Sequence, residues 1–280
     1  MTALRRLIIN ADDFGLSAAV NRGILEAHAA GTVTSASLLA NAPGFEDAVH
    51  RAEEAPGLGV GLHLNLTEGR PVAPPETIPS LCDATGRLHG LAGLVVRVLA
   101  GRVPGEEVAA ECRAQIEQLR RAGIAITHLD GHHHAHVLPG VWGPALGAAR
   151  AAGIRAVRVP LEPLSSLVWR PAAALGEAGI AVSYRLASRK TPPLAHPDHF
   201  RGFALTGRRD FLPRLVDILD SLEPGVTELM VHPGYWDARV GGWGGPLTGE
   251  RERELAALTS DAVRSRLERA GVQLMQFGAL

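Results

Sequence analysis

The chain has 280 residues, 46% hydrophobic and 20% charged, and its 28 basic and 29 acidic side chains leave a formal net charge of −1. That composition supplies a core and excludes general disorder. The balanced charge argues against nucleic acid or an anionic membrane as partner, and the length suits one α/β barrel.

In chain order, Leu7, Ile8 and Ile9 form a short apolar run expected as a buried parallel strand. Ser17 is placed to cap a helix that carries Val20, Ile24 and Leu25 and stops at Gly31. Residues 33–39 read as the second strand, Pro43 as the first-turn residue of a second helix, and 58–64 as the third strand. The polar, Pro-rich stretch 67–90 predicts a long surface loop. A helix over 105–121 follows, with Val108, Cys112, Ile116 and Leu119 on one face, then a strand over 124–129 and a helix over 139–152. Residues 154–159 are the next strand. Within 160–203 the pattern predicts a helix near 171–178 and a strand near 180–184. A helix over 210–222, a strand over 228–231, two closing helices and a strand over 272–277 complete the chain. Alternation of this kind implies an α/β fold, a parallel sheet with right-handed crossovers in a single domain spanning 1–280.

Cys82 and Cys112 stand alone, so no disulfide framework or zinc ribbon is available. The N-terminus carries no signal-peptide pattern, and the longest apolar stretch, 91–103, is interrupted by Arg97 and Arg102. A cytoplasmic protein is the expectation.

The polar residues fall in a pattern. Asn10, Asp12 and Asp13, then Asn41, His63 and Asn65, then Asp130, His132, His133 and His134, and finally Arg158 and His232 all stand at the carboxyl ends of expected strands. In parallel α/β folds those ends converge on the face that binds ligands. Each residue also has a plain reading. Asp12 and Asp13 suit a turn, His63 a hydrogen-bonded core position, and His232 an idle loop. Yet two adjacent carboxylates repel unless a cation or proton lies between them. Five histidines crowd into 128–136, after an apolar strand, which points to metal ligation by at least one of them. If that segment is extended, His132, His134 and His136 project to one side and His133 to the other. A His/Asp set suits zinc, manganese, iron, cobalt or nickel, with magnesium also open. The chemistry that follows is metal-assisted hydrolysis or isomerisation.

The segments Leu7–Ser17 (with Asn10-Ala11-Asp12-Asp13-Phe14-Gly15), Val33-Thr34-Ser35, Gly59–Leu64, Thr127–His134 and Val231-His232-Pro233 resemble, in order, the YdjC/ChbG family of carbohydrate deacetylases. The resemblance implies a distorted (β/α) barrel of about seven parallel strands, related to polysaccharide deacetylases. It also implies a divalent cation, usually magnesium, with zinc, manganese or cobalt as alternatives, held by Asp13, His63 and His132. Asp12 would be the general base. His232 would protonate the leaving amine, with Asp237 available to orient it. The implied substrate is an N-acetylated sugar of the chitooligosaccharide or N-acetylglucosamine type. Residues 157–163 have some flavour of the branch associated with hopanoid lipids, so another N-acylated glycoconjugate stays open, as does a homodimer. Trp236 and Trp243 are candidates to stack on a sugar ring. The rivals are a catalytically silent sugar- or metal-binding protein and a sugar isomerase. The isomerase usually needs a lysine near the metal, and Lys190 is the single lysine.

Overall fold

The computed structural model describes residues 4–163, 171–240, 243 and 249–280. The apolar run at Leu7 grows into a ten-residue strand, β1 (Arg5–Phe14), buried from Leu7 onward. It pairs in parallel with β2 (Ser35–Leu38) and with β7 (Gly225–Val231), and the short β8 (Gln273–Leu274) joins it at Arg6 and Leu7. With β3 (Gly59–Leu64), β4 (His128–Gly131), β5 (Ala156–Val157) and β6 (His199–Arg201), the order is β5-β4-β3-β2-β1-β7-β6, every pairing parallel. The sheet curls into a half-barrel, and its central strands are buried on both faces, which explains why they read as unbroken apolar runs.

Nine helices among the described residues connect the strands: α1 (Ala18–Ala29), α2 (Phe45–Glu53), α3 (Leu91–Leu99), α4 (Gly105–Arg121), α5 (Trp142–Ala151), α6 (Pro171–Ser188), α7 (Phe211–Asp220), α8 (Glu250–Leu258) and α9 (Asp261–Arg269). Ser17 caps α1 as expected, its Oγ accepting the Val20 N–H at 3.2 Å, and Gly31 follows with φ +83°. On α4, Val108, Cys112, Ile116 and Leu119 are all buried. No helix among the described residues is long and apolar enough to cross a membrane.

Several local expectations give way. Residues 180–184 lie inside α6, because the Ala/Leu-rich run before them carries the helix through a β-prone segment. The strand that follows is instead β6, three residues with only Phe200 fully buried, too short to show a period. Helix α2 starts at Phe45 with Gly44 as its cap, so Pro43 precedes it. Residues 91–99, read only as an apolar stretch, form α3, which buries Leu94 alone.

Two departures from regular structure shape the functional face. The β1–β2 register shifts between Ala11 and Phe14, and Asp13 sits at φ +67°. In a regular strand Asp12 and Asp13 project to opposite faces; this bulge re-aims them. The histidine run is likewise not extended. It forms a 3-10 turn, His132–Val137, with left-handed backbone at His133 and His134 (φ +53° each). The alternation of His132, His134 and His136 against His133 therefore does not hold.

Gly44 shows how closely the segments that carry the site approach one another. A Cβ there would lie 2.6 Å from Ser17 Cα, whereas one on the exposed Gly147 of α5 would meet nothing within 4 Å. Gly44→Ala is expected to destabilise by about 1–3 kcal/mol in urea unfolding. Gly147→Ala is expected to be neutral or stabilising by up to ~1 kcal/mol.

Candidate active site

Three side chains from three strand ends meet at one point. Asp13 Oδ1 lies 3.1 Å from His132 Nδ1 and 3.6 Å from His63 Nε2, and the two ring nitrogens are 3.3 Å apart. A point equidistant from these atoms lies about 1.9 Å from each, close to the ~2.0–2.2 Å of metal–nitrogen and metal–carboxylate bonds. The far side of each ring is backed by a carboxylate. His63 Nδ1 faces Asp130 Oδ1 at 2.8 Å, and His132 Nε2 faces Glu68 Oε2 at 3.3 Å. Carboxylates so placed hold the proton on the outer nitrogen and turn the inner lone pair toward a cation. The donor set therefore fits a divalent metal. Glu68 with His132 and His133, and Asp12 with His63 and Asp130, also fall within reach of one another. Only the Asp13 set has both rings backed in this way.

The electrostatics agree with that geometry. Burial opposes ionisation of Asp13, but Arg251, whose Nη2 donates to Oδ2 at 2.5 Å, and the two imidazoles hold its carboxyl well below the usual range. Burial likewise disfavours charge on His132, yet Asp13 and Glu68 lift it to about 9. The metal-free ring is thus an imidazolium at neutral pH, and a cation must displace its proton.

Asp12, the neighbour of Asp13, points elsewhere. Arg158 grips it in a two-pronged pair, Nη1 to Oδ2 and Nη2 to Oδ1, both 2.6 Å, and Asn10 adds a third donor to Oδ1 at 2.9 Å. Arg158 is fully buried and also meets Asp130 Oδ2 at 2.9 Å and Glu228 Oε1 at 2.6 Å. Ser37 Oγ closes the net on Asp130 Oδ2 at 2.7 Å. Burial, reinforced by Asp130 and Asp12 against Arg158, pushes Glu228 up to about 8.

His232 follows β7, and its backbone N–H donates to Glu254 Oε2 at 2.6 Å. Burial outweighs the pull of Asp12 and Asp13 and brings its ring down to about 4. Of the five clustered histidines, only His132 joins the centre. His133 Nδ1 bonds Thr67 Oγ1 at 3.0 Å, His134 packs edge-on against Phe203, His136 Nε2 meets the Arg158 carbonyl, and His128 stacks on Phe277 at 3.9 Å. Asp237 lines a small pocket with Ser17, Pro43 and Asp47. Trp236 is half exposed, and Trp243 packs its ring over Gly69, in the loop that carries Glu68. Lys190 lines a pocket with Pro139 and Leu186, among none of the centre's residues.

Sequence reasoning missed Glu68, Glu228, Arg251 and Glu254. Glu68 is polar like the rest of its loop, and Arg251 and Glu254 belong to Glu-Arg-Glu-Arg-Glu, which reads as a solvated helix face. A glutamate in the strand sequence Thr227-Glu228-Leu229-Met230 was the one visible anomaly.

A parallel sheet with a His/Asp centre at its carboxyl ends defines an α/β protein with a metal-type site. The family model described as YdjC-like protein matches residues 6–269, and the chain belongs to that family. It is 38% identical to a carbohydrate deacetylase of Brevibacillus brevis over 98% of this chain and 99% of the relative. It is 39% identical to a carbohydrate deacetylase of Homo sapiens over 96% and 89%. A crystal structure from Enterococcus faecalis, of a candidate cellobiose-phosphate cleavage protein, superposes with TM-score 0.77 at 29% identity, covering 99% of both chains.

Because His132 carries its proton up to about 9, binding a divalent cation is expected to release about one proton at pH 7, and affinity should rise with pH toward 9. Calorimetry with Mn²⁺ or Zn²⁺ in buffers of different ionisation enthalpy measures that release. Asp130→Asn is expected to weaken binding about 10- to 100-fold.

Proposed function

We propose that this chain is a metal-dependent N-deacetylase that hydrolyses the acetamide of an N-acetylated sugar of the chitooligosaccharide or N-acetylglucosamine type. The observation that carries this reading is the Asp13–His63–His132 triangle, with carboxylate-backed rings, next to an Asp12 that Arg158 grips in a two-pronged pair. The names of the full-length relatives support the sugar substrate. Bound by Asp13, His63 and His132, a divalent cation would supply Lewis-acid polarisation of the amide carbonyl and a more acidic water. Magnesium is the choice by resemblance, while two imidazole donors suit zinc, manganese or cobalt.

The chain's own groups handle the protons. Arg158 and Asn10 occupy three of the four acceptor positions of Asp12, leaving one on Oδ2 to take a proton from the attacking water. An amine leaves only when protonated. His232, neutral at pH 7, accepts a proton during the cycle and hands it to the nitrogen as the C–N bond breaks, giving acetate and the free amino sugar. The isomerase reading loses its lysine, because Lys190 lies with Pro139 and Leu186. A cytoplasmic location and a carbohydrate as the only partner, with a homodimer as the assembly, belong to the same reading and accord with the balanced charge.

The test is acetate release from N,N'-diacetylchitobiose by metal-stripped protein, with magnesium, zinc, manganese or cobalt added back. Metal-dependent acetate that disappears in His132→Ala is expected. Asp12→Asn is expected to lower kcat about 10²- to 10⁴-fold. No acetate with any metal, but release from another N-acylated glycoconjugate, would move the substrate class. Binding with no turnover on any amide would favour the silent binder.

A further inference from the structure

One helix takes three backbone N–H groups from the segment after β7. His232 N–H donates to Glu254 Oε2 at 2.6 Å, Gly234 N–H to the Arg251 carbonyl at 3.3 Å, and Trp236 N–H to Glu252 Oε1 at 3.2 Å. Helix α8 thus takes over where the β7 ladder ends at Val231. On its other side the segment is pressed against α1. A Cβ on Gly23 would come within 2.6 Å of Gly234 Cα, and Tyr235 N–H donates to the Ala19 carbonyl at 3.4 Å. Pro233 fixes one further backbone angle. The backbone of His232 is therefore held from both sides.

The same helix reaches the metal-type centre. Three residues before Glu254, Arg251 Nη2 donates to Asp13 Oδ2 at 2.5 Å. Residues three apart share a helix face, and both side chains are buried (Arg251 3% and Glu254 1% exposed). Burying an arginine and a glutamate is costly, and a surface-style helix has no stability reason to do it. Three polar atoms in this assembly, His232 Nδ1, Arg251 Nη1 and Glu254 Oε1, are buried without a hydrogen-bond partner. Unsatisfied atoms of that kind point to a region shaped for a bound polar group more than for stability.

Resting on the reading of His232 as the proton carrier, we propose that α8 is the positioning element of the site: Glu254 fixes His232 and Arg251 fixes Asp13. The spacing between the proton carrier and the centre is then set by one helical turn. Burial pushes the Glu254 carboxyl up to about 8, so glutamine copies its neutral form closely.

The experiment uses the full-length, metal-loaded protein and two substrates, N,N'-diacetylchitobiose and 4-nitrophenyl acetate. The nitrophenolate leaves without a proton, so a defect that acts through His232 spares the ester. Glu254→Ala is expected to lower kcat on the amide about 100-fold, with KM little changed and ester turnover reduced less than about threefold. Glu254→Gln, which keeps an acceptor oxygen for the His232 N–H, is expected to restore the amide rate to within about threefold of the parent. If Glu254→Ala does not fold, Glu254→Asp gives the same amide-against-ester comparison. Arg251→Gln is expected to weaken cation binding about tenfold and leave the amide-to-ester ratio unchanged at saturating metal. Equal losses on both substrates, or a glutamine variant no better than alanine, would overturn the role of Glu254. Unaltered cation affinity in Arg251→Gln would overturn that of Arg251. A fully active His232→Ala would instead overturn the reading of His232 on which this one rests.

Discussion

The site depends on one buried guanidinium. Arg158 stands at the end of β5 and bonds carboxylates from β1, β4 and β7, so a single side chain fixes four strands relative to one another. Its planar fork matches Asp12 in a two-pronged pair while Nε remains for Glu228, an arrangement that a lysine's single ammonium has no means to reproduce. Buried ion pairs contribute little net stability, because desolvation offsets the attraction. What Arg158 contributes is orientation. It sets Asp12, and through Asp130 it sets the tautomer and tilt of His63. Asp12 and one ring of the metal-type centre are thus connected through two hydrogen-bonded side chains.

Backbone strain is concentrated at the same place. Among the described residues, the non-glycine positions with positive φ are Asp13, His133 and His134. Each costs roughly 1–3 kcal/mol, and such costs persist only where the surroundings over-determine them. At Asp13 the strain goes with the bulge that lets Asp12 and Asp13, which a regular strand would send to opposite faces, both come within reach of His63. At His133 and His134 it folds the histidine run back, so that His132 alone meets Asp13 while His134 and His136 turn into the core. Strand alternation fails in both segments, and the failure decides which side chains the centre receives.

Much of the fold was legible because it follows buried periodicity. Strand β1, the capped helix α1 and the amphipathic α4 all lie where the apolar spacing and the Ser17 cap put them. The legible part of the site was the set of polar residues ending apolar strands, and the structure brings Asp13, His63 and His132 together at those ends. Their supports were harder to see. Arg158 and Asp130 were visible as strand-end residues, but nothing in their spacing says that they touch. Glu68 lies in a loop polar throughout. Arg251 and Glu254 lie in a run whose charge is typical of a solvent face, and only tertiary packing buries one side of it. Strand β6 was hidden for another reason, since three residues give no period to count.

The charge balance of the buried groups gives the arrangement a direction. Glu228 and Glu254, both near 8, keep their protons at neutral pH. Asp13 and Asp130 lie equally deep, yet guanidinium and imidazole neighbours hold both well below the usual carboxylate range, Arg251 with His132 and His63 at Asp13, and Arg158 with His63 at Asp130. Burial alone would push all four carboxyl groups up, so their partners decide which ones ionise. Glu228 shares Arg158 with Asp12 and Asp130, and Glu254 faces a backbone N–H. Ionisation is thus directed to the carboxyl groups that touch the two rings, while those behind them stay neutral, and the negative charge of the buried cluster is concentrated at the Asp13–His63–His132 triangle, where a cation would gain most from it.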